Sequence, residues 1–383
     1  MRDIPLMAIC FVLIATIALG GCNGNTSGTK KASEEKPTDD EKVHTLTFST
    51  WLPETDNKNM VVRKAWINYL EKASGGRLVI DDYYSEQLAA ADSQLLAIQT
   101  GIADIADIYS AYVGHLFPLN QLFTLPFAFQ YPDNITLAKV YNVMIETYPD
   151  FLKEFEAQGV KFLHVHTDSG TQLMTNRPIR ALGDWKGKIL YSASEVERKA
   201  VSMLGCTPTF IAPTELYDSL TKGVVDGSLS CYTGAVMNSV LDASKYIADI
   251  CMGHATWVVA MNLDVYNSLP TDLQELLTGK NVELMTELYG YQFYMDELNN
   301  KALCLEKMEL VEIREAEMNT WKQIVAPLKD EWIENVDTKG FDGRKIHDDF
   351  TKFIKEYTDA PIEEKWLNTL IEWGAEIPDN WNK

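Results

Sequence analysis

Five aromatic side chains, Trp51, Tyr109, Tyr191, Tyr232 and Trp257, have the chemistry to hold a small organic molecule. Ring faces stack on flat apolar solutes, and they attract a quaternary ammonium by about 0.5–2 kcal/mol per ring. A cation would also want a carboxylate. Glu54, Asp107 and Asp168 are the candidates, and Asp168 is the best placed because it directly follows an expected strand. Each ring also has a plainer reading as core packing, and position must choose between the two. His164 and His166 alternate on one strand and share a face; they make half a zinc site, and no third ligand presents itself, so no metal is expected. Asp104 and Asp107 form no catalytic dyad. Neither a G-x-S-x-G elbow nor a phosphate loop occurs, and Gly75-Gly76 reads as a helix stop. The chain is expected to bind without catalysis and to need no cofactor.

Position comes from the elements. Thr45 to Trp51 alternates and reads as a first strand with Trp51 at its end. Val62, Ala65, Trp66, Tyr69, Leu70 and Ala73 fall at helical spacing, with Asp56 or Asn57 as cap and Gly75-Gly76 as stop. Arg77 to Tyr84 is a second strand, Ala91 to Thr100 a helix stopped by Gly101, and Ala103 to Ser110 a third strand ending near Tyr109. Strand, helix, strand, helix, strand predicts a parallel α/β sheet. Pro118 to Pro132, dense in Phe, Leu and Pro, reads as a buried irregular segment. Helices follow over 135–158, then strands at 160–166 and 187–191, the latter ending on Tyr191. Helices are expected over 195–204 and 213–221, with Thr214 as the cap of the second. Val224 to Gly227 reads as a short strand and turn. Residues 272–317 contain no Pro and predict one or two long helices. Ligands of open α/β sheets sit beyond the carboxyl ends of the strands, which is where Trp51, Tyr109 and Tyr191 fall.

The N-terminus sets the compartment. Ile4 to Leu19 is apolar apart from Pro5 and Thr16, too short for a membrane span and sized for a signal-peptide core. It ends in Leu19-Gly20-Gly21-Cys22, which looks like a bacterial lipobox with Cys22 as the lipidated residue. Residues 23–42 lack large apolar side chains and read as a flexible tether. Residues 43–383, about 340 in number, exceed one comfortable core and predict two lobes. A formal charge of −21 argues against nucleic acid. Of six cysteines, Cys206, Cys231, Cys251 and Cys304 remain beyond the leader and Cys22. None is in a C-x-x-C pair, and spacing leaves their disulfide state open.

Several blocks then carry a family resemblance. Asp184-Trp185-Lys186-Gly187-Lys188-Ile189, Leu204-Gly205-Cys206-Thr207-Pro208 and the run Glu215 to Gly227, ending Val224-Val225-Asp226-Gly227, resemble motifs of DctP-type solute-binding proteins of TRAP transporters. Ser74-Gly75-Gly76-Arg77, Gly101 to Ile105, Phe117-Pro118 and Leu125-Pro126-Phe127 also fit. The resemblance runs from about Val43 to Pro270 and is looser beyond. It implies an extracytoplasmic, two-lobe, periplasmic-binding-protein-like α/β fold with a ligand cleft between the lobes and a long helix spanning both. It also implies a monomer working with a small and a large membrane permease subunit driven by an ion gradient. The expected layout is a signal peptide over 1–21, a tether over 22–42, lobe I over 43–168, lobe II over 169–254, and the rest of lobe I, the interlobe helix and C-terminal helices over 255–383. Glu215 and Asp226 are expected to be structural.

The chain departs from the family where the ligand is held. The resemblance implies an arginine clamping a ligand carboxylate two residues after Lys188-Ile189; Tyr191 takes that place, or Leu190 with a one-residue shift. A second family arginine is matched by Thr171. Where the family has Q-E-N after Asp226-Gly227, this chain has Ser228-Leu229-Ser230. The expected cleft set is therefore Trp51, Tyr109, Asp168, Thr171, Tyr191, Ser230, Tyr232 and Trp257, for an aromatic, neutral or amine-type solute. The alternative is an organic dicarboxylate held by Arg198, Lys188 or Arg177. An extracytoplasmic sensing domain is the alternative class.

Overall fold

The computed structural model describes residues 42–54, 61–129, 134–358 and 360–382. The leader, Cys22 and the tether up to residue 41 lie outside the described residues, as do Asp56 and Asn57. No helix among the described residues is long and apolar enough to cross a membrane.

Among the described residues, eleven strands form two sheets: β1 (His44–Ser49), β2 (Leu78–Tyr83), β3 (Ile105–Tyr109), β4 (Val160–Thr167), β5 (Gln172–Thr175), β6 (Ile189–Tyr191), β7 (Thr207–Thr209), β8 (Gly227–Ser230), β9 (Tyr246–Ala248), β10 (Thr256–Asn262) and β11 (Glu309–Leu310). The first sheet runs β2-β1-β3-β10-β4 and the second β11-β9-β5-β8-β6-β7. β1, β2 and β3 pair in parallel as their strand–helix alternation predicts, but β10 enters antiparallel between β3 and β4. The first sheet is thus mixed. Its return strand, Thr256-Trp257-Val258-Val259-Ala260-Met261, is apolar on both faces because helices cover both. Val258 and Ala260 join the core on one side, Val259 and Met261 the core on the other.

The second sheet divides its core in the same way. Leu173, Leu190, Leu229 and Ala248 face one cluster; Met174, Tyr191 and Ile247 face the other. The chain enters this sheet between β4 and β5 and leaves it between β9 and β10. The two crossing segments run side by side: Thr171 N–H donates to Gly253 O at 2.8 Å and Met252 N–H to Thr171 O at 2.9 Å. Gly170 is required here, since a Cβ would lie 2.1 Å from the Cys251 sulfur.

A third connection is helical. The helix Asn281–Lys307 is broken from Thr271–Leu277 at Gly279, whose φ is +58°. It packs on Asn134–Thr147 and β4 of the first lobe and on Tyr232–Met237 and Val240–Ala243 of the second, then leads into β11 on the second sheet's edge. This is the long helix spanning both lobes.

Several local expectations change. Pro213 occupies the first turn of the helix Pro213–Thr221 with Ala212 as its N-cap, so Thr214 is not the cap. Residues 224–226 lie in a turn, and the strand there begins at Gly227. Asp226 is structural as expected, accepting the Ile189 N–H at 2.9 Å, and Glu215 is exposed in its helix's first turn. Cys206, Cys231, Cys251 and Cys304 are buried thiols that form no disulfide among the described residues. His164 and His166 are core: they stack with Tyr289, and burial beside Arg63 pulls His164 down to about 3, so it is neutral. Asp107 is not a ligand candidate either, because its carboxylate is buried against the Arg63 guanidinium.

Candidate functional site

The strand ends place the candidate residues around one cavity. Trp51 lies two residues past β1, Tyr109 ends β3, Asp168 follows β4 and Thr171 precedes β5. Tyr191 ends β6 and Ser230 ends β8. Trp257 is the second residue of β10; because that strand is antiparallel, its beginning meets Tyr109 at the end of β3. All seven line a cavity of about 60 Å³ between the two sheets. Its mouth continues into a groove of about 480 Å³ that shares Trp51, Pro213, Met237 and Asn238. Small-molecule pockets commonly measure roughly 300–1,000 Å³, so the inner chamber is tight and the lobes are drawn together over it.

The eighth candidate is misplaced. Tyr232 is fully buried in the second lobe's core, and its hydroxyl donates to Asp249. It starts the helix Tyr232–Met237, and at that phase its side chain turns inward while Cys231, Thr233 and Gly234 face the cavity. Glu54 is exposed and lines nothing here.

Aromatic surface dominates the first-lobe wall. The Trp51 and Trp257 rings stack with centroids 5.1 Å apart and planes 15° apart. Tyr109 leans on Trp257 at 4.9 Å and on Tyr112 at 5.1 Å. Burial raises the Tyr109 and Tyr191 phenols well above their ordinary range, so both remain neutral.

Acidic groups gather where the two lobes meet. Asp168 is buried and accepts the Ser169 N–H at 2.9 Å and the Trp257 indole N–H at 3.4 Å. Glu197 accepts hydroxyl hydrogens from Thr171 and Ser192, each at 2.5 Å. Burial raises both carboxyls from their ordinary range against these bonds. Behind Asp168 lie the Cys231 thiol and Glu297, the three ligand atoms within 4.8 Å of one another. Glu297 accepts the Thr233 N–H at 2.7 Å, and burial with Asp168 nearby pushes it up to about 8.

Among the described residues, no lysine or arginine lines this cavity. Arg198 is half-buried, but its guanidinium donates to Ala193 O at 2.6 Å and Ser192 O at 3.0 Å. Arg177 is exposed, and Lys188 is partly buried outside the lining. A roomier groove of about 700 Å³ lies elsewhere, between the helices Asn134–Thr147 and Asn281–Lys307. Its Lys139 is already paired with Glu287 and Glu363.

Sequence reasoning missed four important lining residues. Tyr112 lies one short helical turn beyond Tyr109, a signal available from the end of β3. Glu197 opens the helix after β6, again a strand-end position. Phe293 comes from the middle of the long helix and Met237 from the end of a short one; no strand pattern points to either.

The family model for bacterial extracellular solute-binding protein, family 7 (DctP), matches residues 48–335. The C4-dicarboxylate-binding periplasmic protein DctP of Rhodobacter capsulatus is 27% identical over 273 residues, covering 70% of this chain and 80% of the relative. A TRAP solute-binding protein from Rhodoferax ferrireducens, solved with copurified benzoate, superposes with a TM-score of 0.73 at 21% identity, over 82% of this chain and 99% of that one. Another from Bordetella bronchiseptica, solved with bound mandelate, gives 0.74 at 22% identity, over 82% and 99%. This chain therefore belongs to family 7 of the bacterial extracellular solute-binding proteins, the DctP-type receptors of TRAP transporters, a family of substrate-binding proteins rather than enzymes.

Proposed function

We propose that this receptor captures one small aromatic, neutral or amine-type solute in the cavity walled by Trp51, Tyr109, Tyr112, Tyr191 and Trp257, and delivers it to a TRAP permease of one small and one large subunit. Residues 43–168 and most of 255–383 would supply lobe I with the interlobe helix, and 169–254 lobe II, which β11 and the helix Glu315–Val325 join in place of the lobe I expected for them. A lipid on Cys22 would hold a monomer at the outer side of a membrane through the tether up to residue 42. One observation carries the ligand reading: the cavity is lined by stacked rings and carboxyl groups, with no guanidinium or ammonium among the described residues to clamp an acid. Benzoate and mandelate are acids, so this receptor's ligand would differ from those of the two solved relatives. Asp168, Thr171 and Ser230 would orient the solute's polar end. Closure of two lobes on a ligand is the ordinary motion of such folds.

Tryptophan fluorescence of the full chain in detergent, titrated with aromatic, neutral, amine and dicarboxylate solutes, tests this reading. A saturable response to a member of the first three classes is expected, weakened tenfold or more by Trp51→Ala. A response to dicarboxylates alone, or one indifferent to Trp51→Ala, would sink it.

A further inference from the structure

The acidic half of the cavity narrows the ligand class. We infer that the inner chamber takes a compact organic cation, such as a quaternary ammonium head, set against Asp168 and Glu197 and enclosed by Trp51, Tyr109 and Trp257. The inference rests on the cleft being the solute site and adds the sign of the solute's charge.

Charge accounting is its first support. Among the described residues, two carboxyl side chains line the chamber and no lysine or arginine does. Glu297 adds a third acid beside Asp168, and the Cys231 thiol donates to Asp168. His254, on the segment crossing back to β10, lies close enough to bear on both Asp168 and Glu197. Its ring packs on Phe129 at 4.8 Å. A buried carboxylate is costly to ionise, and burial holds Asp168, Glu197 and Glu297 above their ordinary range. An anionic solute would meet repulsion here, and a neutral one would bring no counter-charge to the carboxyls. A cation lowers the cost of ionising them.

Shape is the second support. The Trp51–Trp257 stack and the tilted Tyr109 present ring surface in more than one plane, the arrangement that attracts an alkylated ammonium. The chamber's 60 Å³ amounts to about four to six positions the size of a water. A tetramethylammonium head needs five heavy-atom positions, and a longer tail has the mouth groove to occupy.

Calorimetric titration of the full chain in detergent decides the matter. The probes are tetramethylammonium, choline, the uncharged choline isostere 3,3-dimethylbutan-1-ol, benzoate, and calcium or zinc ions. We expect the ammonium compounds to bind at least tenfold more tightly than the isostere. Asp168→Asn or Glu197→Gln, both close in shape to the native side chain, should erase most of that preference. Affinity for choline should rise from pH 5 to pH 8, because the carboxyls must ionise to face it, while the isostere shows no such trend. Equal binding of choline and its isostere, or binding of benzoate instead, abolished by Trp51→Ala, overturns the charge assignment and leaves the cleft standing. A response to calcium or zinc alone, lost in Asp168→Asn, replaces the organic cation with a metal ion. Binding that ignores Trp51→Ala removes the cleft reading itself, and silence from every ammonium probe overturns the proposal.

Discussion

Glu297 shows how much one buried side chain can report. It sits on the interlobe helix, fully buried, with the Tyr232 and Thr233 amides donating to it and Asp168 beside it. Its carboxyl is raised from 4.5 to about 8. Between those values the folded chain holds a proton that the unfolded chain has lost, so stability falls as pH rises through that window. Glu297→Gln keeps an acceptor for both amides and carries no charge. Urea unfolding should therefore show the variant gaining on the native protein between pH 5 and pH 8.5, by an amount on the order of a few kcal/mol; parallel curves would contradict the shift. Asp168, its neighbour, was legible in the sequence as a strand-end acid, whereas Glu297 was not. Nothing in a helical repeat distinguishes a glutamate facing solvent from one facing a cleft, and only the docking of that helix across both lobes makes the difference.

The elements explain why the site was mostly legible and the first sheet was not. β1, β2 and β3 alternate with helices, so their order and carboxyl ends follow from pattern alone, and Trp51 and Tyr109 follow from them. β10 is more than a hundred residues away from its partner β3. Its apolar run carries no mark of direction, so Trp257 was placed near the cleft without a strand to hold it. The helix Asn281–Lys307 was readable from its lack of Pro, but its closest approach was not. Gly290 meets the helix Asn134–Thr147 there, and a Cβ would fall 2.7 Å from Ala138 Cβ and 3.1 Å from Asn134 O. Gly290→Ala gains about 1 kcal/mol of helix propensity but forces the helices apart, at about 1–3 kcal/mol. We expect a net loss of stability, partly restored by Ala138→Gly in the same chain. Thermal unfolding of the single and double variants checks this, and a Gly290→Ala protein as stable as the native one would refute the close-packing argument.

For the whole molecule, length alone foretold two lobes and the resemblance one long helix between them, while the other three of the four chain connections, the last near residues 325–328, became visible only in the fold. The crossing segments at 168–171 and 249–255 are stapled by backbone hydrogen bonds and the helix is continuous, so movement between the lobes must be resisted at the cleft rim. Tyr112, from the first lobe, meets the exposed Phe210 of the second edge to face at 5.6 Å and hydrogen-bonds Tyr191. Phe210 is absent from the cavity lining, so truncating it changes closure without changing a ligand contact. An aromatic pair of this kind contributes about 0.5–1.5 kcal/mol, enough to shift a closed-to-open ratio by roughly two- to tenfold. Affinity falls in proportion to the closed fraction when that state is the competent one. Small-angle scattering of ligand-free Phe210→Ala should give a larger radius of gyration than the native chain, and Tyr112→Ala a larger one still, because it also breaks the bond to Tyr191. Identical scattering from all three proteins would mean that the rim contact does not hold the lobes together, and that closure is set at the crossing segments instead.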